Sequence, residues 1–440
     1  MRLNIQKIVF SCVLLALAVP FCAAQQVTGS AQIPGLRPYK VDLETLPKAE
    51  KDSVRMVAEL WKGYVASFTS SEVDESRRRS YWVDGSPDLL QEFDDGNLLY
   101  ASFRENRIID IRKIGDGVYE IVAATFSRLP GEEYDGWMET VFRLRAEAVA
   151  SGGRGSSNPF RLRNWLDAEV ASLTAMPFKG IEYYCVPGSE VPKRTAVAMS
   201  GFTTDFINED APAFSGRIRY VVAPSLDQCE RMSGFLFNAY SNPMMSSASG
   251  KVSDRVFYGK IFGTDLILSN FYDDRRDIAL LILRSAWPKA LPMVQEGIAA
   301  YHGGYMDLSY SDLKSSLRRY LATNRNLDLT SDDNFYDLSI PVAGRDGVTA
   351  AVVPVEGLVG AAIVEYSLTQ YGPRKTRELL GCRTYADIFK TLSIPASDIN
   401  DFIRGVLSTL SGTLLDHPVV HVAEETGLAA RPEYEGGVVG

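Results

Sequence analysis

Two short stretches hold the residues best suited to do chemistry. The first is Asp273-Asp274-Arg275-Arg276-Asp277, which runs into the apolar segment IALLIL. The second is LPMVQEGIAAYHGG (291–304), with Glu296, Tyr301 and His302. On a helix Asp273 and Asp277 lie one turn apart on a shared face. With Glu296 they would make an all-oxygen cluster, a donor set that suits Ca²⁺, Mg²⁺ or Mn²⁺ better than zinc. Arg275 and Arg276 stand among these carboxylates and can neutralise them unaided. Glu296 is therefore expected to pair with one of the two arginines or to bond a helix terminus, and no bound cation is expected.

Other chemistries have little material to work with. The chain contains only three histidines, so imidazole-based sites are scarce. His302 lies six residues after Glu296, off that residue's helical face, and is expected to line a cleft. His417 and His421 have the i, i+4 spacing of a zinc pair, but Pro418 separates them and no acidic base follows His417. There is no GxSxG elbow, no phosphate-binding loop and no dinucleotide fingerprint. Cys185, Cys229 and Cys382 match no zinc knuckle or CxxC pair. They read as buried free thiols, with a Cys185–Cys229 disulfide as the alternative.

The elements that must position these residues follow from periodicity. Val54, Val57, Ala58, Trp61, Tyr64, Val65 and Phe68 recur at three- and four-residue spacing, which predicts an amphipathic helix from about 49 to 68. Strand-like runs follow: LLYASF, IIDIRKI, VYEIVAATFS and METVFRLRAEAV, with Gly115-Asp116-Gly117 as a tight turn. This helix and curled antiparallel sheet are loosely similar to nuclear-transport-factor or cystatin-like rolls, a likeness of fold that carries no activity. The stretch SGGRGSSN (151–158) reads as an interdomain linker. Beyond it come a strand over 181–186, a helix over about 192–207, a strand over 218–222 and a short helix over 226–232. From about 273 the chain turns helical. Gly372-Pro373 stops one helix and starts the next, and Ser397 can cap a last helix reaching about 410.

The segment LP-x-x-x-EG-x-A-x-Y at 291–301 resembles the signature of gluzincin metallopeptidases of the peptidase-MA-like kind. The resemblance covers roughly residues 175 to 410. It includes IRYVVAPSLDQCERMSGF, similar to the edge strand that lines the family's substrate cleft, and GLVGAAIVEYSLTQYGPRKTRELL, similar to its later helices. The resemblance implies that Glu296 stands where the family has its third zinc ligand. It also implies that Gly297 lets helices approach closely and that an HExxH helix precedes Glu296 by about twenty residues. A gluzincin needs two imidazoles four residues apart, with a glutamate beside the first as base. In the family's common spacing, Asp273 and Asp277 fall on the two histidine positions. A shifted register supplies no histidine either, so zinc, the family's cofactor, lacks its ligands and no cofactor is expected.

The reading is an α+β chain. A signal peptide (1–24) has Arg2 and Lys7 before an apolar core and small residues before the cleavage point at Ala24. Bulky Phe21 argues against lipid anchoring at Cys22. An extended leader (25–47) follows, then a small helix-plus-antiparallel-sheet domain (48–150) and the linker (151–158). Last come a gluzincin-like domain (159–412), with a mixed sheet and a helical half, and a flexible tail (413–440). The net charge of −9 disfavours nucleic acid as a partner, and no membrane span is expected after signal cleavage. The expected protein is exported, periplasmic or secreted. It would be a pseudopeptidase that binds a peptide or protein in a vestigial cleft around Glu296, Asp273, Asp277, Tyr301 and His302, with extended peptides adding to the strand at Tyr220-Val221-Val222. Two alternatives stay open: a metal-dependent hydrolase with a non-standard site around Glu296, and a structural envelope protein.

Overall fold

The computed structural model describes residues 48–67, 75–84, 86, 104–127, 138–149, 158–238, 259–306, 308–343 and 350–408. The signal peptide, the leader, the strand expected at LLYASF, nearly all of the SGGRGSSN stretch, the tail and its two histidines lie outside the described residues. The fold is α+β, with an antiparallel sheet, a mixed sheet and a helical half. No helix among the described residues is long and apolar enough to cross a membrane.

The amphipathic helix forms as its periodicity predicts. Helix α1 (Lys48–Ala66) buries Val54, Val57, Leu60, Trp61 and Tyr64. Each such side chain contributes roughly 1.5–3 kcal/mol by leaving water. A short helix α2 (Glu75–Arg79) follows. The stripe of α1 packs on one face of an antiparallel sheet built from β1 (Arg104–Gly115), β2 (Val118–Ser127), β3 (Met138–Ala148) and β4 (Phe160–Arg163). Gly117 makes the β1–β2 turn with a φ of 65°, where a side chain would be strained.

The domain boundary expected at 151–158 is corrected by the pairing of β4. Residues 145–148 of β3 pair antiparallel with 160–163, so the Gly/Ser-rich stretch joins neighbouring strands of one sheet. Turn-forming residues mark a chain reversal as readily as a linker. The first sheet also recruits β8 (Phe235–Asn238), which pairs with the other half of β3. The two sheets are therefore interleaved along the sequence.

The second sheet has the order β5 (Ala175–Phe178), β6 (Ile181–Cys185), β7 (Ile218–Val222), β10 (Leu266–Ser269), β9 (Gly259–Phe262). The three inner strands run parallel and both outer strands pair antiparallel. Helix α4 (Lys193–Asp210) makes the crossover from β6 to β7, and α3 (Trp165–Ala171) and α5 (Leu226–Met232) cover the opposite face.

This order corrects the expectation that Tyr220-Val221-Val222 is an edge. Strand β7 is central, hydrogen-bonded to β6 on one side and to β10 on the other, so it has no free edge to offer a peptide. The reason lies in its composition. Tyr220 and Val222 bury towards α4, Val221 buries towards α3 and α5, and all three are within 2 % of full burial. A continuous apolar run suits a strand covered on both faces.

The helical half comprises α6 (Arg275–Ala286), α7 (Pro292–Gly303), α8 (Tyr310–Thr323), α9 (Val355–Tyr371), α10 (Pro373–Leu379), α11 (Tyr385–Thr391) and α12 (Ile399–Ser408). A hairpin of β11 (Ser339–Ala343) and β12 (Ala350–Pro354) leads into α9. Helices α7 and α9 cross at glycines. A Cβ on Gly297 would lie 2.4 Å from the carbonyl carbon of Gly360, and one on Gly360 would lie 2.3 Å from the Met293 oxygen. This close crossing brings Glu296 against the start of α9 at Gly357.

Candidate functional site

Helices α6 and α7 place the two chemical stretches side by side. Asp274 caps α6, its side chain accepting from the Asp277 N–H. Tyr220 fixes this end of the helix: its hydroxyl donates to the Phe271 carbonyl at 2.8 Å and accepts from the Asp274 N–H at 3.3 Å. Tyr183 repeats the first contact one strand over, bonding the Tyr272 carbonyl at 3.1 Å. The central strands thus aim the N-terminus of α6 at α7.

A guanidinium occupies the centre of the site. Arg276 donates to Asp277 Oδ1 at 2.7 Å and to Glu296 Oε2, and its Cζ lies 4.8 Å from the centroid of the Tyr305 ring. The other oxygen of Glu296 accepts from Arg284 at 3.3 Å. The side chains of Arg276, Asp277 and Glu296 are 13 %, 4 % and 18 % exposed, whereas Arg284 is half exposed. Close approach is required here too: a Cβ on Gly303 would lie 2.3 Å from the Arg276 backbone nitrogen.

The electrostatics follow from burial and an excess of carboxylates. Burial opposes the charge of Arg276, but Glu296 and Asp277 outweigh it and raise the pKa of the guanidinium above its ordinary value. Burial, and then the neighbouring Asp277, push Asp274 well above the usual carboxylate range. Its Oδ2 is buried without a hydrogen-bond partner. Burial lifts Tyr305 to about 12. On the outer side, burial followed by Glu296 and Asp332 pushes Glu356, in the first turn of α9, up to about 7.

Of the residues picked from sequence, Asp277 and Glu296 meet through Arg276. The other three lie elsewhere. Asp273 precedes the cap and interacts with Arg275 and Tyr183. The Tyr301 ring lies tilted against that of Tyr310, with centroids 5.4 Å apart. His302 turns towards Phe206 and Asp210. Asp274, Tyr305 and Glu356 also belong to this junction, beyond the five residues that the motifs mark. The pattern Asp-x-x-Asp before an apolar run is a helix-start signal that marks Asp274. Nothing local marks Tyr305 or Glu356. Cys185, Cys229 and Cys382 are all free thiols.

The zinc that the gluzincin resemblance implies does not fit these residues. Among the described residues no imidazole or thiol stands at Glu296, both of its oxygens are engaged by guanidinium groups, and the positive charge of Arg276 lies between the carboxylates. Among the described residues, no group of three or more His, Cys, Asp or Glu is arranged to hold a metal ion. No family model, curated protein or solved structure matches this chain.

Proposed function

We propose that this is an exported, gluzincin-like pseudopeptidase that binds a peptide or protein partner rather than cleaving it. The observation carrying this reading is the Arg276 guanidinium between Glu296 and Asp277. A buried cation there satisfies the carboxylate that the resembling enzymes give to zinc, and it repels a second cation. The cap on α6, the glycine crossing of α7 and α9 and the parallel strands behind them keep the two helices in place, so the scaffold retains its shape with an internal charge in place of a ligand. An extended partner would add to β9, which borders α6 and pairs on one side only among the described residues.

Metal content tests this directly. The protein lacking residues 1–24 and any histidine tag, dialysed against zinc and then buffer, is expected to hold far less than one equivalent by elemental mass spectrometry. Near-stoichiometric zinc, or peptide hydrolysis abolished by a chelator and by Glu296→Gln, would overturn the reading.

A further inference from the structure

A second ionisable pair lies where α7 meets α4, away from the arginine-bridged site. Asp210 ends α4 and its side chain is 8 % exposed. Among the described residues its one ion-pair partner within 4.0 Å is His302, whose Nε2 lies 3.7 Å from Oδ2. The imidazole is held edge-on against the rings of Phe206 and Tyr301, with centroids 5.5 and 5.2 Å away. The Asp210 carbonyl accepts from Trp287 Nε1 at 3.4 Å. Arg377, on α10, acts on the carboxylate from farther away. Glu209 precedes Asp210 on α4.

Helix polarity makes this an unusual place for a bare carboxylate. The last turn of a helix carries partial negative charge, which disfavours an anion and favours a cation. Asp210 sits in the last turn of α4, and His302 sits in the last turn of α7. Each helix end therefore favours the protonated form of its own residue. Burial adds to this, because an ionised carboxylate with no adjacent cation is costly inside a protein.

We propose that Asp210 and His302 form a proton-operated latch that draws the C-terminal ends of α4 and α7 together under mildly acidic conditions. With one proton on the pair, carboxylate and imidazolium attract, and the pair is neutral as a unit. Loss of that proton leaves a buried negative charge between two helix ends. Burial already pushes the Asp210 carboxyl up to about 6, against the opposing effect of Arg377. A raised folded-state pKa means that the folded form binds the proton more tightly than the unfolded chain. Stability from the shared proton is thus present at mildly acidic pH and is lost as pH rises. The proposal stands whether or not the cleft binds a partner.

The scarcity of histidine makes the test clean. The chain has three imidazoles, so proton–carbon NMR of the intact protein resolves few ring signals, and His302→Gln assigns the one of interest. In Asp210→Asn, a near-isosteric change, the His302 titration midpoint is expected to fall by about one pH unit or more, the size of effect an adjacent opposite charge produces. The thermal midpoint of the native protein should fall between about pH 5.5 and pH 8, a range in which imidazoles titrate. In Asp210→Asn that slope should flatten. An unchanged His302 midpoint in Asp210→Asn, or an equal slope in the two proteins, would overturn the latch.

Discussion

The α6–α7 junction and the α8–α9 junction each bury a cation against a glutamate, but on different charge balances. At α8–α9, Lys314 bonds Glu365 at 2.8 Å and the Tyr310 hydroxyl donates to the same carboxylate at 2.9 Å. Both charged side chains are at least 92 % buried, one positive and one negative. At α6–α7, Arg276 and the half-exposed Arg284 face Glu296, Asp277 and Asp274, and one oxygen of Asp274 is buried without a partner. The first arrangement is complete as an ion pair. The second has a surplus carboxylate, and a surplus buried charge is relieved most cheaply by holding a proton. A balanced pair serves as a fixed joint, whereas a surplus site is responsive to pH.

Substitutions at both junctions break or sharpen this contrast. The largest effect is expected for Arg276→Met, which removes the one cation bonded to Asp277 among the described residues and leaves Glu296 with only the half-exposed Arg284. It should lower unfolding stability by about 3–5 kcal/mol in urea melts. A loss under about 1 kcal/mol would mean that Arg276 is not the central cation. Lys314→Met alone should cost a similar amount. Combined with Glu365→Leu, however, it should recover to near the native value, because a balanced pair can be replaced by apolar groups at little cost. Arg276→Met with Glu296→Leu should recover less, since Asp274 and Asp277 remain. Equal recovery at the two junctions would erase the distinction between them.

The smallest effect is expected for Asp274→Asn, read against pH. Asparagine still caps a helix. Asp274 is pushed upward by burial and by Asp277, so the folded form holds its proton more tightly than the unfolded chain does. Its stability contribution is complete below the ordinary carboxylate range, about pH 4, and is lost as pH rises. Asp274→Asn should therefore unfold at a higher temperature than the native protein at neutral pH and at nearly the same temperature near pH 4. A native protein with the higher midpoint at neutral pH would show that the ionised carboxylate is needed.

Much of the scaffold was legible along the chain. Local periodicity placed α1, α4, α5, β2 and β7 within a few residues of where they lie, because a helical stripe and a strand run are properties of neighbouring side chains. The Gly372-Pro373 and Asp116-Gly117 signals ended elements where they fall for the same reason. The sequence misled where one residue pattern serves two roles. A Gly/Ser-rich stretch between β3 and β4 looks like a linker, and the family resemblance makes an edge of the strand at Tyr220-Val221-Val222 although its unbroken apolar run suits a central position. At the site, the nearness of two arginines to the carboxylates could be read directly.

The sequence by itself determined which donors exist: three histidines, one Glu-Gly pair on a helix with the gluzincin-like pattern, and two arginines among aspartates. Side-chain chemistry is set by residue type and needs no fold to be known. Only the tertiary structure decided the partners. Arg276 rather than Arg275 reaches Glu296, Asp274 joins the cluster while Asp273 leaves it, and His302 turns towards Asp210. These choices depend on the crossing of α7 and α9 at Gly297 and Gly360 and on the central strands that fix the start of α6. Residues far apart in sequence set which face of each helix is covered, and a 3.6-residue turn sends adjacent side chains in different directions.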